Sequence, residues 1–370
     1  MMYNLGKRLV RRGHEITVYT TDVLDADSRV EKRFDLLEGM KVHYFKTISN
    51  WLSWHQKLFF PMGLGKKIKE TIKNFDLIHL TDARTYPNIH AYNSAQEFNI
   101  PYVWSAFGSL PRATGVKRHM KFVYDHIYGY NISKNVRKAI AQTENEAESY
   151  IEFGVERDKV EIVPLGIETG EFDLLPSKGS FRKRHSIGEK EKIILFLGRI
   201  NEHKGIGLLI RAFANIAKKR NDVRLAIVGR DDGYLSAMNK LINDLSLTGR
   251  IIFAGPLYGS DRIEAYVDAD VFTLTPSHYE ETSLAALEAA AAGTPVIITE
   301  QAGIPYLDAY KGGITIRYNR DELKTALTDL LMNDPLREEM GRNARKLIYE
   351  IFSWDKVVEQ MERIYSEALN

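Results

Sequence analysis

The sequence predicts an α/β protein built from two Rossmann-like domains with parallel sheets, and three observations carry that expectation. Short apolar runs alternate with helical patterns along the whole chain. At 370 residues the chain can form two cores. Between its halves, Pro164 to Glu189 is rich in Gly, Pro, Ser and charged residues and reads as an interdomain linker.

In the first half the expected strands are Ile16–Tyr19, Val42–Phe45, Leu77–Leu80, Tyr102–Ser105, Ala139–Gln142 and Glu161–Val163. In the second they are Ile193–Leu197, Arg224–Val228, Arg250–Phe253, Val271–Leu274 and Val296–Ile298. The start breaks this rhythm. Tyr3 to Arg12 has a helical pattern and Gly13 leads into the first strand, so a helix stands where a strand is expected. At the other end, Trp354 to Ala368 sets Val357, Val358, Met361, Ile364 and Tyr365 on one side of an amphipathic helix.

Composition narrows the function. Hydrophobic residues make up 44% and charged residues 27%, ordinary for a globular enzyme, and a net charge of +2 gives no global case for nucleic acid. With no cysteine, disulfides, thiolate catalysis and cysteine-ligated zinc are excluded, and a cytoplasmic location is compatible. The ten histidines form no H-E-x-x-H pattern, so no metal is expected. No apolar run reaches the length of about 18 residues that a membrane span needs, and the N-terminus shows no signal-peptide core.

Two segments carry chemistry. In the stretch from Tyr279 to Val296, Glu280 and Glu288 stand eight residues apart around a helix start. Thr282 and Ser283 are good N-cap types, and Leu284, Leu287 and Ala291 continue at helical spacing, so a helix is expected from about 282 to Gly293. A helix N-terminus offers free N–H groups to phosphate, and adjacent carboxylates accept bonds from sugar hydroxyls. Isolated glutamates are more often solvated. In the second segment, Phe196-Leu197-Gly198-Arg199-Ile200-Asn201-Glu202-His203-Lys204-Gly205, Arg199 and Lys204 fall at the C-terminal end of a strand, where α/β sheets bind ligands. A forked guanidinium and a compact ammonium can hold a diphosphate and stabilise it as it leaves. His203 is assigned no role.

These two segments, in this order, resemble the E-x7-E and G-R-x4-K-G motifs of the group 1 (family 4) retaining glycosyltransferases of GT-B fold. Ile162-Val163-Pro164-Leu165-Gly166-Ile167-Glu168 is similar to the family's interdomain V-I-P-N-G-V-D, with Leu165 replacing the usual Asn. The resemblance implies an acceptor-side domain over 1–170, a nucleotide-sugar domain over 171–350, and a helix over 351–370 that returns to the first domain. It implies transfer of a sugar from a nucleotide-diphosphate donor to a saccharide or lipid-linked acceptor, in glycan or glycolipid synthesis, with retention and no cofactor. Arg199 and Lys204 are then expected on the diphosphate, Glu288 on ribose and Glu280 on the transferred sugar. Gly198 and the backbone of Thr282, Ser283 and Leu284 complete the donor site.

The chain departs from the family at three points. The family's first, central strand and Gly-rich loop have no counterpart, which predicts an upstream segment of roughly 20–40 residues. The family's usual Phe-Gly is replaced by Thr282-Ser283. In Pro101 to Pro111, a position that commonly holds histidine beside the transferred sugar is Phe107, followed by Gly108. Phenylalanine can pack on a sugar face but cannot accept a proton. Two other readings therefore stay open: a degenerate nucleotide-sugar-binding subunit, or another GT-B enzyme such as a nucleotide-sugar epimerase.

On the acceptor side, Trp51 to Phe60 mixes aromatic and basic residues ahead of Lys66, Lys67 and Lys69. Residues 111–140 hold Arg112, Lys117, Arg118, Lys121, Lys134, Arg137 and Lys138 against one acid, Asp125. Such surfaces suit peripheral contact with anionic lipid on the inner face of the cell membrane, or are ordinary solvated lysines.

Overall fold

The computed structural model describes every residue except 57, 112–116 and 281. It divides into two units, residues 1–165 with 357–370, and residues 166–356.

The first unit opens on the helix Met2–Arg11, which buries Leu5 and Leu9. Its strands are β1 (Thr17–Thr21), β2 (Phe34–Leu37), β3 (Met40–Phe45), β4 (Ile78–Thr81), β5 (Tyr102–Ser105), β6 (Lys138–Ala141) and β7 (Val160–Ile162). They form two sheets. One has the order β1-β3-β2, with β1 parallel and β2 antiparallel to β3; the other is parallel with the order β4-β5-β6-β7. β5 is buried along its whole length, and its aromatic residues find polar partners: Tyr102 Oη donates to Ile132 O at 2.6 Å and Trp104 Nε1 to Asp82 O at 2.7 Å. The buried pair of Arg84 Nε and Asp125 Oδ1, 2.8 Å apart, fixes the loop after β5, because the same guanidinium donates to Ser109 O and Leu110 O. The helix Trp354–Leu369 runs across the division and buries Val357, Val358, Met361 and Ile364.

The second unit contains β8 (Lys192–Leu197), β9 (Val223–Val228), β10 (Ile251–Gly255), β11 (Val271–Leu274), β12 (Val296–Thr299) and β13 (Gly313–Ile316). All pairings are parallel, in the order β10-β9-β8-β11-β12-β13. Helices cover both faces, which is why β8, β9, β11 and β12 read as continuous apolar runs rather than alternating ones.

Two expectations need correction. The stretch Pro164–Glu189 is no loose linker from Gly166 onward: Ile167, Phe172, Phe181 and Ile187 are buried in the core of the second unit, and Asp268 caps the helix Ser180–Arg184 by accepting from Gly179 N and Arg182 N. The strands β2 and β13 were not expected. β2, Phe34-Asp35-Leu36-Leu37, breaks its apolar run with an acid, and β13 opens on Gly313 after Gly312, so neither reads as a continuous apolar strand.

Candidate active site

The order of the second sheet locates its crevice. Numbered within the unit, the strands run 3-2-1-4-5-6, so the chain reverses direction between β8 and β11, and loops leaving the C-terminal ends of those strands open at the switch point. These are the loops at 198–205 and 275–283, the two segments singled out in the sequence.

The first loop is clamped at both ends. A Cβ on Gly229 would lie 1.8 Å from Gly198 O, so β9 passes the end of β8 only because no side chain intervenes. Asn201 Oδ1 accepts from His203 N at 2.9 Å and caps the 3-10 turn Glu202–Lys204. Gly205 then adopts φ +70°, and a Cβ there would sit 1.5 Å from Thr275 O. Ser277 N donates to His203 O at 2.9 Å, joining the two loops. His203, given no role from sequence, meets His278 with 3.2 Å between their Nδ1 atoms.

The four charged residues expected in the site each have a protein partner. Arg199 Nη1 donates to Asp232 Oδ2 at 2.9 Å and is more than half exposed, so it remains accessible. Lys204 Nζ lies 2.5 Å from Glu280 Oε1, with both side chains mostly covered. The backbone holds Glu280 in place: its N–H donates to Gln301 O at 2.8 Å. Thr282 Oγ1 and Gln301 Oε1 are buried and make no hydrogen bond among the described residues. Buried polar atoms without partners are uncommon and call for a ligand or water.

The helix expected from 282 runs Leu284–Ala291, two residues later. Ser283 occupies the N-cap, but its side chain makes no capping bond; Ala286 N and Leu287 N both donate to Ser283 O at 3.1 Å, so among the described residues it is the N–H groups of Leu284 and Ala285 that lack an acceptor within the helix. Glu288 lies in the second turn. Its carboxylate accepts from Arg262 Nε at 3.2 Å, Arg262 Nη2 at 3.3 Å and Tyr266 Oη at 3.0 Å. Arg262 also pairs with Glu171 at 2.5 Å. Burial works against the charge of Arg262, yet the two glutamates outweigh it and hold its pKa above the ordinary range. Burial, then the Glu288 charge, pushes the Tyr266 hydroxyl well above its usual value, so it stays a donor. A cavity of about 710 Å³ opens beside this pair, lined by Glu171, Leu174, Tyr258, Ser260, Arg262 and Ile263.

Phe107 and Gly108 belong to the first unit, in the loop after β5. Gly108 N donates to the buried Glu146 at 2.7 Å, and Phe107 is half-buried at φ +49°, a region that non-glycine residues seldom occupy. Arg112 and Lys57 lie outside the described residues. Sequence reasoning missed Asp232, Arg262, Tyr266 and Gln301. Their partners are 22 to 33 residues away in sequence, or across a strand, and no local pattern links them.

The two-unit architecture with its doubly wound second half defines a GT-B glycosyltransferase, an enzyme. The chain belongs to the group 1, family 4 glycosyltransferases: residues 1–171 match the family described as Glycosyltransferase Family 4, and residues 177–347 match Glycosyl transferases group 1. Among its relatives, the uncharacterized glycosyltransferase MJ1607 of Methanocaldococcus jannaschii is 29% identical over 99% of this chain and 93% of its own. Alpha-monoglucosyldiacylglycerol synthase of Streptococcus pneumoniae is 26% identical over 99% of this chain and 81% of its own. The Anabaena protein HepE (Alr3699), solved in complex with UDP, shares the fold at a TM-score of 0.73 and 17% identity, over 89% of this chain and 87% of that one.

Proposed function

We propose that this glycosyltransferase moves a sugar from a nucleotide-diphosphate sugar to a saccharide or lipid-linked saccharide, with retention, in cell-surface glycan or glycolipid synthesis. The observation that carries the reading is the convergence of Arg199, Lys204, Glu280 and the open helix end at Leu284 on the switch point of one parallel sheet. In that reading Arg199 and Lys204 bind the diphosphate, helped by Gly198 and the N–H groups of Thr282, Ser283 and Leu284. Glu288 accepts from ribose, with the base in the cavity beside Arg262. Glu280, Thr282 Oγ1 and Gln301 Oε1 meet hydroxyls of the transferred sugar.

The chemistry is leaving-group departure. The bond between the anomeric carbon and the distal phosphate oxygen breaks, its electrons stay on that oxygen, and Arg199 with Lys204 offsets the charge. The acceptor oxygen bonds to the anomeric carbon on the same face, and its proton passes to the departing phosphate. Acceptor recognition falls to the first unit, with Phe107 and Gly108 on its sugar side, and the enzyme works in the cytoplasm in peripheral contact with the membrane. The UDP bound by HepE and the glycolipid named in the pneumococcal relative support a uridine donor and a lipid-linked acceptor as the first pair to try.

The test is turnover of a panel of radiolabelled nucleotide sugars with extracted lipids, in excess EDTA. Transfer that survives EDTA, and falls by about a hundredfold or more in Arg199→Ala, supports the reading. Hydrolysis or epimerisation without transfer, or no donor binding at all, overturns it.

A further inference from the structure

The loop after β4 is held at every residue, and one of its side chains is left over. β4 and β5 run parallel with Thr81 opposite Ser105, so residues 82–85 and 106–110 leave adjacent strands at the same C-terminal edge of the sheet. Asp82 N donates to Ser105 O at 2.9 Å, and Asp82 O accepts from Trp104 Nε1 at 2.7 Å and from Asn88 Nδ2 at 3.0 Å. Ala83 N donates to Ser109 Oγ at 2.6 Å. Arg84 is bound to Asp125, Ser109 O and Leu110 O, and Thr85 Oγ1 accepts from Asn88 N at the start of the helix Tyr86–Phe98. The facing loop is pinned as firmly, with Ala106 N donating to Tyr150 Oη at 2.6 Å and Gly108 N to Glu146 Oε1 at 2.7 Å.

Amid this bonding, the Asp82 carboxylate makes no hydrogen bond or ion pair among the described residues. The buried acids Asp22, Asp125 and Glu146 of the same unit are committed to the fold: Asp22 accepts from Thr47 N and Arg29, Asp125 from Arg84, and Glu146 from Gly108 N and Gln142 N. Asp82 remains exposed, yet the surrounding protein strips enough solvent to raise its carboxyl above the ordinary aspartate pKa, a desolvation cost that no partner offsets. The backbone adds its own cost, with Asp82 and Arg84 both at φ +59° and Phe107 on the facing loop at φ +49°. A charge without a partner, fixed in place through its own peptide groups on left-handed backbone, is the signature of a group kept for a ligand.

Chemistry selects that ligand. An ionised carboxylate only accepts, and it does so at two oxygens side by side, so its complement is a pair of adjacent donors. On the same sheet edge the half-buried Phe107 contributes an apolar ring. Such a ring next to a paired acceptor suits a sugar, which carries C–H groups on its face and hydroxyls around its rim. The charge also repels phosphate, so the group bound here is a neutral polyol and differs from the anionic end of the donor.

We infer that Asp82 accepts hydrogen bonds from two neighbouring hydroxyls of the acceptor's saccharide, seated beside Phe107, and thereby selects a sugar-bearing acceptor over a bare lipid alcohol. The inference rests on the glycosyl-transfer reading and concerns hydroxyls other than the one that reacts.

Asp82→Asn tests it in the full chain, with extracted lipids as acceptor and the nucleotide sugar that the wild type turns over as donor. Asparagine keeps the shape and tolerates positive φ, so the charge alone is lost. The lipid concentration for half-maximal transfer should rise about tenfold, as charge-assisted bonds become neutral ones, while the donor KM stays within about twofold. The melting temperature should equal or exceed that of the wild type, because the fold loses no partner. Periodate treatment of the lipids, which cleaves between neighbouring hydroxyls, should abolish acceptance by the wild type once the reagent is removed. Unchanged acceptor dependence in Asp82→Asn, a melting temperature several degrees lower, or transfer that survives periodate overturns the inference and leaves the donor reading standing. Wild-type protein that transfers to no lipid overturns both.

Discussion

Replacing Glu288 by Gln isolates one charge in the proposed donor site, because volume and shape are kept. A carboxylate offers about four acceptor directions. Three are used: Arg262 Nε and Tyr266 Oη approach Oε2, and Arg262 Nη2 approaches Oε1. One direction on Oε1 is left for a ribose hydroxyl. A hydrogen bond to a charged acceptor contributes about 1.5–3 kcal/mol, against roughly half that for a neutral amide. The carboxylate is only about one-fifth exposed, so solvent screens it little. Loss of the charge, a difference of about 0.75–1.5 kcal/mol, should weaken uridine and UDP alike by roughly 4- to 13-fold, read by calorimetric titration. The comparison variant Arg199→Ala should weaken UDP but leave uridine unchanged, because the guanidinium is assigned to phosphate alone. Uridine affinity that is unaltered in Glu288→Gln would refute the assignment of this carboxylate to ribose.

Gly205→Ala should lower stability by about 3 kcal/mol or more, because its Cβ meets Thr275 O and φ is +70°; an unchanged melting temperature would show that the loop can be rebuilt. His79 lies half-buried between Tyr365 Oη and Ser105 Oγ, each at 2.8 Å, and desolvation pushes its pKa down to about 4. The unfolded chain protonates this ring near pH 6.5, so between pH 6.5 and 4 the unfolded state binds the extra proton. Stability is full above that window and falls by about 3 kcal/mol as pH drops through it, and denaturant titrations of wild type and His79→Gln should differ in slope across the window. Phe107→His should melt within a few degrees of wild type, since the side chain is half-buried and histidine tolerates positive φ better than most residues; global unfolding at ordinary temperature would place Phe107 in the core.

Strand positions were legible where apolar runs were long or flanked by turns: Tyr102–Ser105 and Val271–Leu274 match to the residue. β13 was not, because Gly312-Gly313 reads as a turn although Gly313 already pairs with Val296. Within the site, the residues on local motifs were visible. Arg199 and Lys204 follow one strand, and Glu280 and Glu288 frame one helix start. The residues that set their electrostatics were hidden, because Arg262 and Tyr266 reach Glu288 from the preceding helix and Asp232 reaches Arg199 from the loop after β9. Helical spacing on Gly259–Asp268 marks Tyr266 as core and gives no sign that its hydroxyl faces a carboxylate.

The acid partners of Arg199 and Lys204 also bear on which molecules such a site admits. A bare cationic pocket would take any passing phosphate. Here an anion that draws Lys204 away from Glu280 leaves a mostly covered carboxylate without its counter-charge, beside the unbonded Thr282 Oγ1 and Gln301 Oε1. Inorganic phosphate brings at most one or two P–OH donors on the anion itself, too close to its charge to reach those acceptors while it holds Lys204. A molecule that carries an anionic end and a hydroxyl-rich end at the right separation satisfies both sides in one exchange of partners. Under the proposed donor reading, the acids would act as a filter against simple anions, so that rejection of the wrong ligand comes from the same side chains that greet the right one.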